Sequence, residues 1–198
     1  MAPKYLKRSK NVSDLSLLVS TSMSRLIFFS GGVESTLLLC EADPMDTVVT
    51  IEPTYPYGMP TYRKETAEKI ADALGFKINY AQIYIPIEPE PYHFVHQIRT
   101  FISVANLWCA KDTKITEVWA GRSRDDVDGP HRPANMYEAW ALMHPNVRFY
   151  RPFEHLSKRE QWDQIPTDIK PLVSSCFFHK NCGKCPKCEE VKKMLSES

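Results

Sequence analysis

The sequence predicts an α/β domain: a doubly wound, five-stranded parallel sheet followed by a small cysteine-rich C-terminal knot. Three observations carry this. Short apolar or β-branched runs alternate with helix-period stretches from residue 25 to 164, the pattern of parallel strands joined by crossover helices. A Ser-Gly-Gly turn joins the first such run to the first helix. Cys176, Cys182, Cys185 and Cys188 crowd the C-terminal segment.

The elements follow in order. Arg25–Ser30 (RLIFFS) is an apolar run that ends at two glycines, and Ser35–Ala42 carries Leu37, Leu38 and Cys40 as a short buried helix. Thr47–Ile51 is β-branched and reads as a strand. Residues 52–60 hold three prolines and a glycine and read as a loop. Tyr62–Leu74 places Ala67, Ile70, Ala71 and Leu74 on one helical face, and Gly75 stops it. Lys77–Ile85 is a third strand, after which Pro86–Pro91 excludes a central strand or helix. Phe94, Ile98, Phe101, Ala105 and Trp108 mark the buried face of a long helix. Glu117–Ala120 is a fourth strand, residues 121–133 a loop, Asn135–Met143 a helix and Val147–Tyr150 a fifth strand. Lys158–Gln164 is a short helix, residues 165–188 are irregular, and Glu189–Leu195 is a terminal helix.

Composition bounds the function. The 198 residues suffice for one domain. With 25 basic and 24 acidic residues the net charge is +1, which excludes a polyanion binder held by bulk charge and leaves room for a local phosphate site. A hydrophobic fraction of 43% excludes a disordered chain. No apolar run approaches the ~20 residues of a membrane helix, so a cytoplasmic protein is expected. Residues 1–24 read as a tail and lead-in, with Lys4, Lys7, Arg8 and Lys10 and no acid over the first 13 residues. Residues 25–170 read as the α/β domain and 171–198 as a cysteine segment on the same domain. A nucleic-acid contact by the tail is not favoured.

The sharpest local signal is Phe29-Ser30-Gly31-Gly32-Val33-Glu34-Ser35-Thr36, between the first strand and the first helix. Such a turn presents backbone N–H groups at the positive end of a helix. Gly31 and Gly32 clear side chains from the path of an anion, and Ser30, Ser35 and Thr36 add hydroxyls. No lysine follows and no Gly-x-Gly-x-x-Gly is present, so neither a Walker loop nor a dinucleotide fingerprint applies.

The cysteines are spaced Cys176-x5-Cys182-x2-Cys185-x2-Cys188. Four thiolates this close, without a secretion signal, point to metal rather than disulfides. A structural tetrahedral zinc is preferred over an iron–sulfur cluster because nothing else in the chain suggests redox chemistry. His179 is an alternative ligand, and a catalytic cysteine pair is a third reading. Cys40 and Cys109 lie in apolar helical context and read as inert core thiols.

The Ser30–Thr36 segment resembles the Ser-Gly-Gly-x-Asp-Ser loop of the PP-loop ATP pyrophosphatases, with Glu34 in place of the Asp. Together with the cysteine knot it resembles the 7-cyano-7-deazaguanine synthase family across most of residues 25–195. Tyr57, Gly58 and Glu65 match the segment after the family's second strand, while Met59 and Thr61 replace its Gln and His. Arg99 matches the Arg of an Arg-Asn pair whose Asn is Thr100 here. Gly121, Asp126, Gly129, Pro130, Arg132 and Pro133 resemble the run after the fourth strand. The Arg151–Lys158 stretch resembles a Pro-Leu-x-x-Leu-x-Lys segment, and Cys182–Cys188 the zinc loop.

The resemblance implies an adenine nucleotide alpha hydrolase-like fold, ATP with Mg²⁺ as cosubstrate, and a structural Zn²⁺ held by the four cysteines. It implies an ATP-dependent carbon–nitrogen ligase of queuosine-precursor chemistry, acting on a deazapurine acid and ammonia through an adenylated intermediate, in a homodimer. Ser30, Gly31, Gly32, Val33, Ser35 and Thr36 are then expected at the pyrophosphate, with Glu34 near the metal or the loop. Val49, Thr50 and Ile51 are expected at adenine, with Arg99, Gly121, Arg122, Asp126 and Arg132 around phosphate, Mg²⁺ or substrate. A tRNA-thiolating enzyme and a non-catalytic nucleotide-binding module are the alternatives.

Overall fold

In the computed structural model the described residues are 24–54, 62–84, 93–126, 140, 143–175 and 182–196. They form β1 (Ser24–Phe28), α1 (Val33–Cys40), β2 (Thr47–Thr54), α2 (Tyr62–Leu74), β3 (Ile78–Tyr84), α3 (His93–Lys111), β4 (Ile115–Trp119) and β5 (Arg148–Tyr150). Then come α4 (Lys158–Gln164), a 3-10 turn at Lys170–Leu172, and α5 (Pro186–Ser196).

The five strands form one sheet in the order β3-β2-β1-β4-β5, and every adjacent pair is parallel. The alternation of side chains along β1 explains the layers. Leu26 and Phe28 turn to one face, joining Val49, Ile102, Ala105, Val118 and Trp140 in a core that includes α3. On the opposite face Phe29, Val33, Leu37, Val48, Ala67 and Ile70 build a core with α1, α2 and the 165–173 segment. Helices therefore cover both faces, as the fold class requires. Val33, Leu37, Leu38 and Leu39 of α1 are each no more than 1% exposed, so α1 is enclosed on several sides rather than along one stripe. Trp119 and Trp140 are buried, and Trp108 and Trp162 pack partly buried against the cores.

Several boundaries depart from the sequence reading. β2 runs through Pro53 to Thr54 and stays in register with β3 as far as Tyr84, where a loop was expected. The reason is pairing. β1 matches β2 only up to Val49, so the end of β2 has one neighbour, and a prolyl nitrogen without a hydrogen is tolerated there. Helix α1 starts two residues earlier than the apolar pattern suggests, directly after Gly32. β4 begins at Ile115 rather than Glu117. α5 begins at Pro186, a residue preadapted to the first helical turn, so Cys188 is helical rather than irregular. Of the expected Asn135–Met143 helix only Trp140 and Met143 lie within the described residues, both helical.

From β1 the chain steps outward to β2 and β3, then crosses back to add β4 on the other side of β1. The carboxyl ends of β1 and β4 therefore flank the topological switch point, where open parallel sheets bind ligands.

Candidate functional site

The Ser30–Thr36 turn leaves β1 at that switch point. Gly31 has φ +77°, and a Cβ there would stand 3.1 Å from Thr66 Cγ2 of α2, so both conformation and space select glycine. Gly32 is the N-cap of α1 in extended conformation and supplies no side-chain cap. The first-turn amides of α1 are thus left for another acceptor. Thr36 N already bonds to Gly32 O at 2.9 Å and closes the first helical turn.

The hydroxyls divide into two roles. Ser35 Oγ accepts from Ser30 N at 3.1 Å, lies 3.0 Å from Ser30 Oγ and donates to Gly32 O at 3.2 Å. It is saturated by the loop it shapes. Ser30 is exposed beyond the carboxyl end of central strand β1, whereas Thr36 Oγ1 is buried without a partner. The side chain of Val33 is in the core, so the turn has only its backbone to use.

Three surrounding pieces touch the loop, and Gln161 braces the segments behind it. Gly121, leaving β4, is the tightest: a Cβ there would lie 2.9 Å from Glu34 Cβ and 3.0 Å from both Glu34 C and Ser35 N. Only a glycine lets β4 approach the first turn of α1 so closely. Ser174 N donates to Gly31 O at 3.0 Å, and the unpartnered Ser175 Oγ sits 3.4 Å from where a Gly32 Cβ would be. Gln161 of α4, fully buried, donates from Nε2 to Arg122 O at 2.7 Å and Phe153 O at 2.9 Å. Finally, Lys158 Nζ reaches Glu34 Oε1 at 2.8 Å.

Lys158 is the residue whose role the sequence did not disclose. It is 3% exposed and lies between two carboxylates, Glu34 of the loop and Glu190 of α5. Burial alone would push its pKa down, but the two carboxylates outweigh that and hold it well above the ordinary lysine range. The cation is therefore permanent. Its helix is started by a capping box: Glu160 N donates to Ser157 Oγ at 3.2 Å, and Ser157 N to Glu160 Oε2 at 2.7 Å. That Ser-x-x-Glu pattern was visible in the sequence and was the available signal for α4. Lys158 N also donates to Asp125 Oδ2 at 2.7 Å, tying α4 to the loop after β4. Glu34 thus meets a buried lysine, and its Oε2 lies 3.7 Å from where a Gly32 Cβ would be.

The remaining predicted residues fall as follows. Val49 O accepts from Phe29 N at 2.9 Å and Thr50 Oγ1 donates to Phe29 O at 2.9 Å. Both therefore hold the exit of β1, while Ile51 lies beyond the β1 pairing. Asp126 Oδ2 accepts from Ser123 N at 2.9 Å, and Arg122 donates to Asp126 O at 3.1 Å; both close the turn after Gly121. Arg99 is on α3, but its side chain lies outside the described residues, as do Arg132 and Cys176 entirely.

Cys182, Cys185 and Cys188 gather their sulfurs within 4.8 Å of one another. The Cys182–Cys188 Sγ separation is 3.9 Å, far beyond a disulfide bond and close to the ~3.8 Å between thiolates on a tetrahedral ion with Zn–S of about 2.3 Å. Gly183 at φ +72° supplies the turn between the first two cysteines. Three soft donors in this geometry fit a metal ion such as zinc.

No family model and no curated protein matches the sequence. Among solved structures, the chain is similar to a 4-thiouridine synthetase in complex with RNA and bound ATP. The TM-score is 0.50 and the identity 12%, over 90% of this chain and 51% of that one. The chain thus spans about half the length of that protein. An NH3-dependent NAD synthetase from Campylobacter jejuni also matches, with TM-score 0.47 and 14% identity over 91% of this chain and 80% of that one. An NMN synthetase from Francisella tularensis matches with TM-score 0.43 and 11% identity, over 89% and 78% of the two chains. The first likeness shows the fold alone: a parallel α/β sheet shared with that synthetase.

Proposed function

We propose that this chain is an ATP-dependent enzyme that binds the triphosphate of ATP at Ser30–Thr36 and cleaves it between the α and β phosphates. The observation that carries the reading is the uncapped start of α1 at the switch point, bounded by Gly31, Gly32 and Gly121. First-turn amides of Val33, Glu34 and Ser35 receive the pyrophosphate oxygens, with Ser30 and Thr36 adding hydroxyls. Ser35 holds the loop in that shape. Glu34, anchored by Lys158, offers its second oxygen to the Mg²⁺ that accompanies ATP. Lys158 neutralises the Glu34 carboxylate behind the loop, which lessens the repulsion an incoming anion meets there.

In the finer reading, ATP activates a 7-carboxy-7-deazaguanine-like acid as its adenylate with release of pyrophosphate, ammonia displaces AMP to give the amide, and a second adenylation of the amide oxygen, lost as AMP, gives the nitrile. It rests on the sequence resemblance, with Arg99, Arg132 and Asp126 as candidate substrate groups and Val49–Ile51 as the candidate adenine edge. The cysteine knot belongs to the same domain, because α5 reaches α1 through Glu190 and Lys158. Zinc there has a structural role: Cys185 and Cys188 are buried and held at metal-ligand spacing, which does not suit a sulfur-transfer thiol that must meet RNA.

The test is pyrophosphate release from ATP, with deazapurine acids plus ammonia as one arm and tRNA as the other. Stimulation by an acid, lost in Ser35→Ala, supports the ligase. Stimulation by tRNA alone replaces the substrate class with RNA. ATP binding without turnover in either arm leaves a nucleotide-binding module and refutes the enzyme.

A further inference from the structure

The cysteine cluster and the phosphate loop are far apart in sequence, yet one chain of charges joins them. Lys187 lies between Cys185 and Cys188, and its Nζ donates to Glu190 Oε2 at 2.9 Å. The other oxygen of Glu190 accepts from Lys158 Nζ, and the same Nζ lies 2.8 Å from Glu34 Oε1 in the first turn of α1. The route thus runs cluster, Glu190, Lys158, Glu34, phosphate loop, and its central member is only 3% exposed. A second tie runs alongside it: Ser174 N holds Gly31 O at 3.0 Å just ahead of the knot.

The first turn of α5 is built on the cluster. Glu189 N bonds to Cys185 O at 3.0 Å, and Cys188 lies within the helix two residues before Glu190. Whatever orders the three sulfurs therefore orders the carboxylate that clamps Lys158. Lys158 in turn restrains Glu34, whose Cβ and carbonyl carbon are wedged against Gly121. A lysine held from one side only would be free to draw Glu34 toward α4, and the loop amides would move with it.

We propose that Glu190 is a positioning residue through which metal occupancy of the Cys182–Cys185–Cys188 cluster sets the affinity of the phosphate loop for a nucleoside triphosphate. The knot then acts on the site, beyond bracing the chain end. The proposal rests on the reading of Ser30–Thr36 as the triphosphate site. Binding linkage makes the coupling reciprocal: the triphosphate must tighten metal binding by the same factor that metal tightens triphosphate binding.

The experiment is calorimetric titration of the full chain with α,β-methylene ATP and Mg²⁺, in the zinc-loaded and the chelator-stripped states. Wild type, Glu190→Gln and Glu189→Gln are compared, and zinc content and melting temperature are recorded for each. Glu189 is exposed on the same helix and serves as the control. The expected result is a loss of about tenfold or more in affinity on stripping wild type, the order of a coupling of ~1.4 kcal/mol. Zinc-loaded Glu190→Gln shows a comparable loss with its zinc content intact, and stripping it adds little further. Glu189→Gln binds as wild type does. The zinc dissociation constant of wild type, read by competition with a chelator, falls by a matching factor when the nucleotide is present.

If Glu190→Gln keeps its zinc and binds the nucleotide as tightly as wild type, the proposal is overturned; this holds even if the stripped protein unfolds. Independent, additive losses from stripping and from Glu190→Gln overturn it as well. Failure of zinc-loaded wild type to bind the nucleotide in a manner sensitive to Ser35→Ala overturns the site reading and this proposal together.

Discussion

Gly121→Ala adds a single carbon at the closest approach in the site. The new Cβ would stand 2.9 Å from Glu34 Cβ and 3.0 Å from Glu34 C and Ser35 N. Ordinary contact between carbons is about 3.5–4.0 Å, so the end of β4 and the first turn of α1 must separate by roughly 0.5–1 Å. Two of the three opposing atoms are backbone, and α1 cannot retreat because Val33, Leu37, Leu38 and Leu39 are packed on several sides. Overpacking of this kind costs about 1–3 kcal/mol, or roughly 2–12 °C of melting temperature in a domain of this size. The functional loss should be larger. A displacement approaching 1 Å of the groups that orient a reacting phosphate costs on the order of 100-fold in turnover. Gly75→Ala separates the two effects. Gly75 has φ +80° and nothing within 4 Å of its added Cβ, so strain alone costs about 1–2 kcal/mol there, remote from the loop. Calorimetric unfolding paired with ATP titration reads both quantities. The expected outcome is that both variants melt earlier and only Gly121→Ala loses ATP affinity, by tenfold or more. Wild-type affinity in Gly121→Ala would refute the placement of the phosphates at the start of α1.

Three further outcomes are expected. Lys158→Met strands the Glu34 carboxylate, while Glu190 keeps Lys187, and should cost about 3–5 kcal/mol in denaturant unfolding; adding Glu34→Gln should restore part of it, and a loss below about 1 kcal/mol would contradict the buried pairing. Burial, with nearby carboxylates, pushes the Cys40 and Cys109 thiols up to about 11, so iodoacetamide at pH 8 with a chelator should modify Cys182, Cys185 and Cys188 well before either; equal rates by mass spectrometry would contradict that. Bonds from the Ser157 backbone and side chain hold the Glu160 carboxyl below its ordinary range. Its contribution is therefore full above the ordinary glutamate pKa and is lost as pH falls through the lowered one. The stability gap between wild type and Glu160→Gln should close on acidification, and a gap unchanged down to pH 3 would remove the capping box from the account.

What the sequence determined by itself is local. The alternation of β-branched runs with helix-period stretches specified five strands and their parallel sense, because each period is set within a few residues. Gly31, Gly32 and the hydroxyls of Ser30, Ser35 and Thr36 marked a phosphate turn, since backbone freedom at a helix start needs no distant partner. The spacing of Cys182, Cys185 and Cys188 marked a metal knot for the same reason. Tertiary structure decided everything that depends on which elements meet. Pro53 sits within β2 because β1 stops pairing at Val49, which no local pattern reports. The resemblance marked Gly121 as a site residue, but the space that demands a glycine there is seen only with β4 laid against α1. Lys158 entered the sequence reading only as the end of the Arg151–Lys158 resemblance, and its burial between Glu34 and Glu190 is a fact of the packed chain. A charge is buried only where its counter-charges are brought to it from elsewhere in the chain, and that meeting is a property of packing rather than of neighbouring residues.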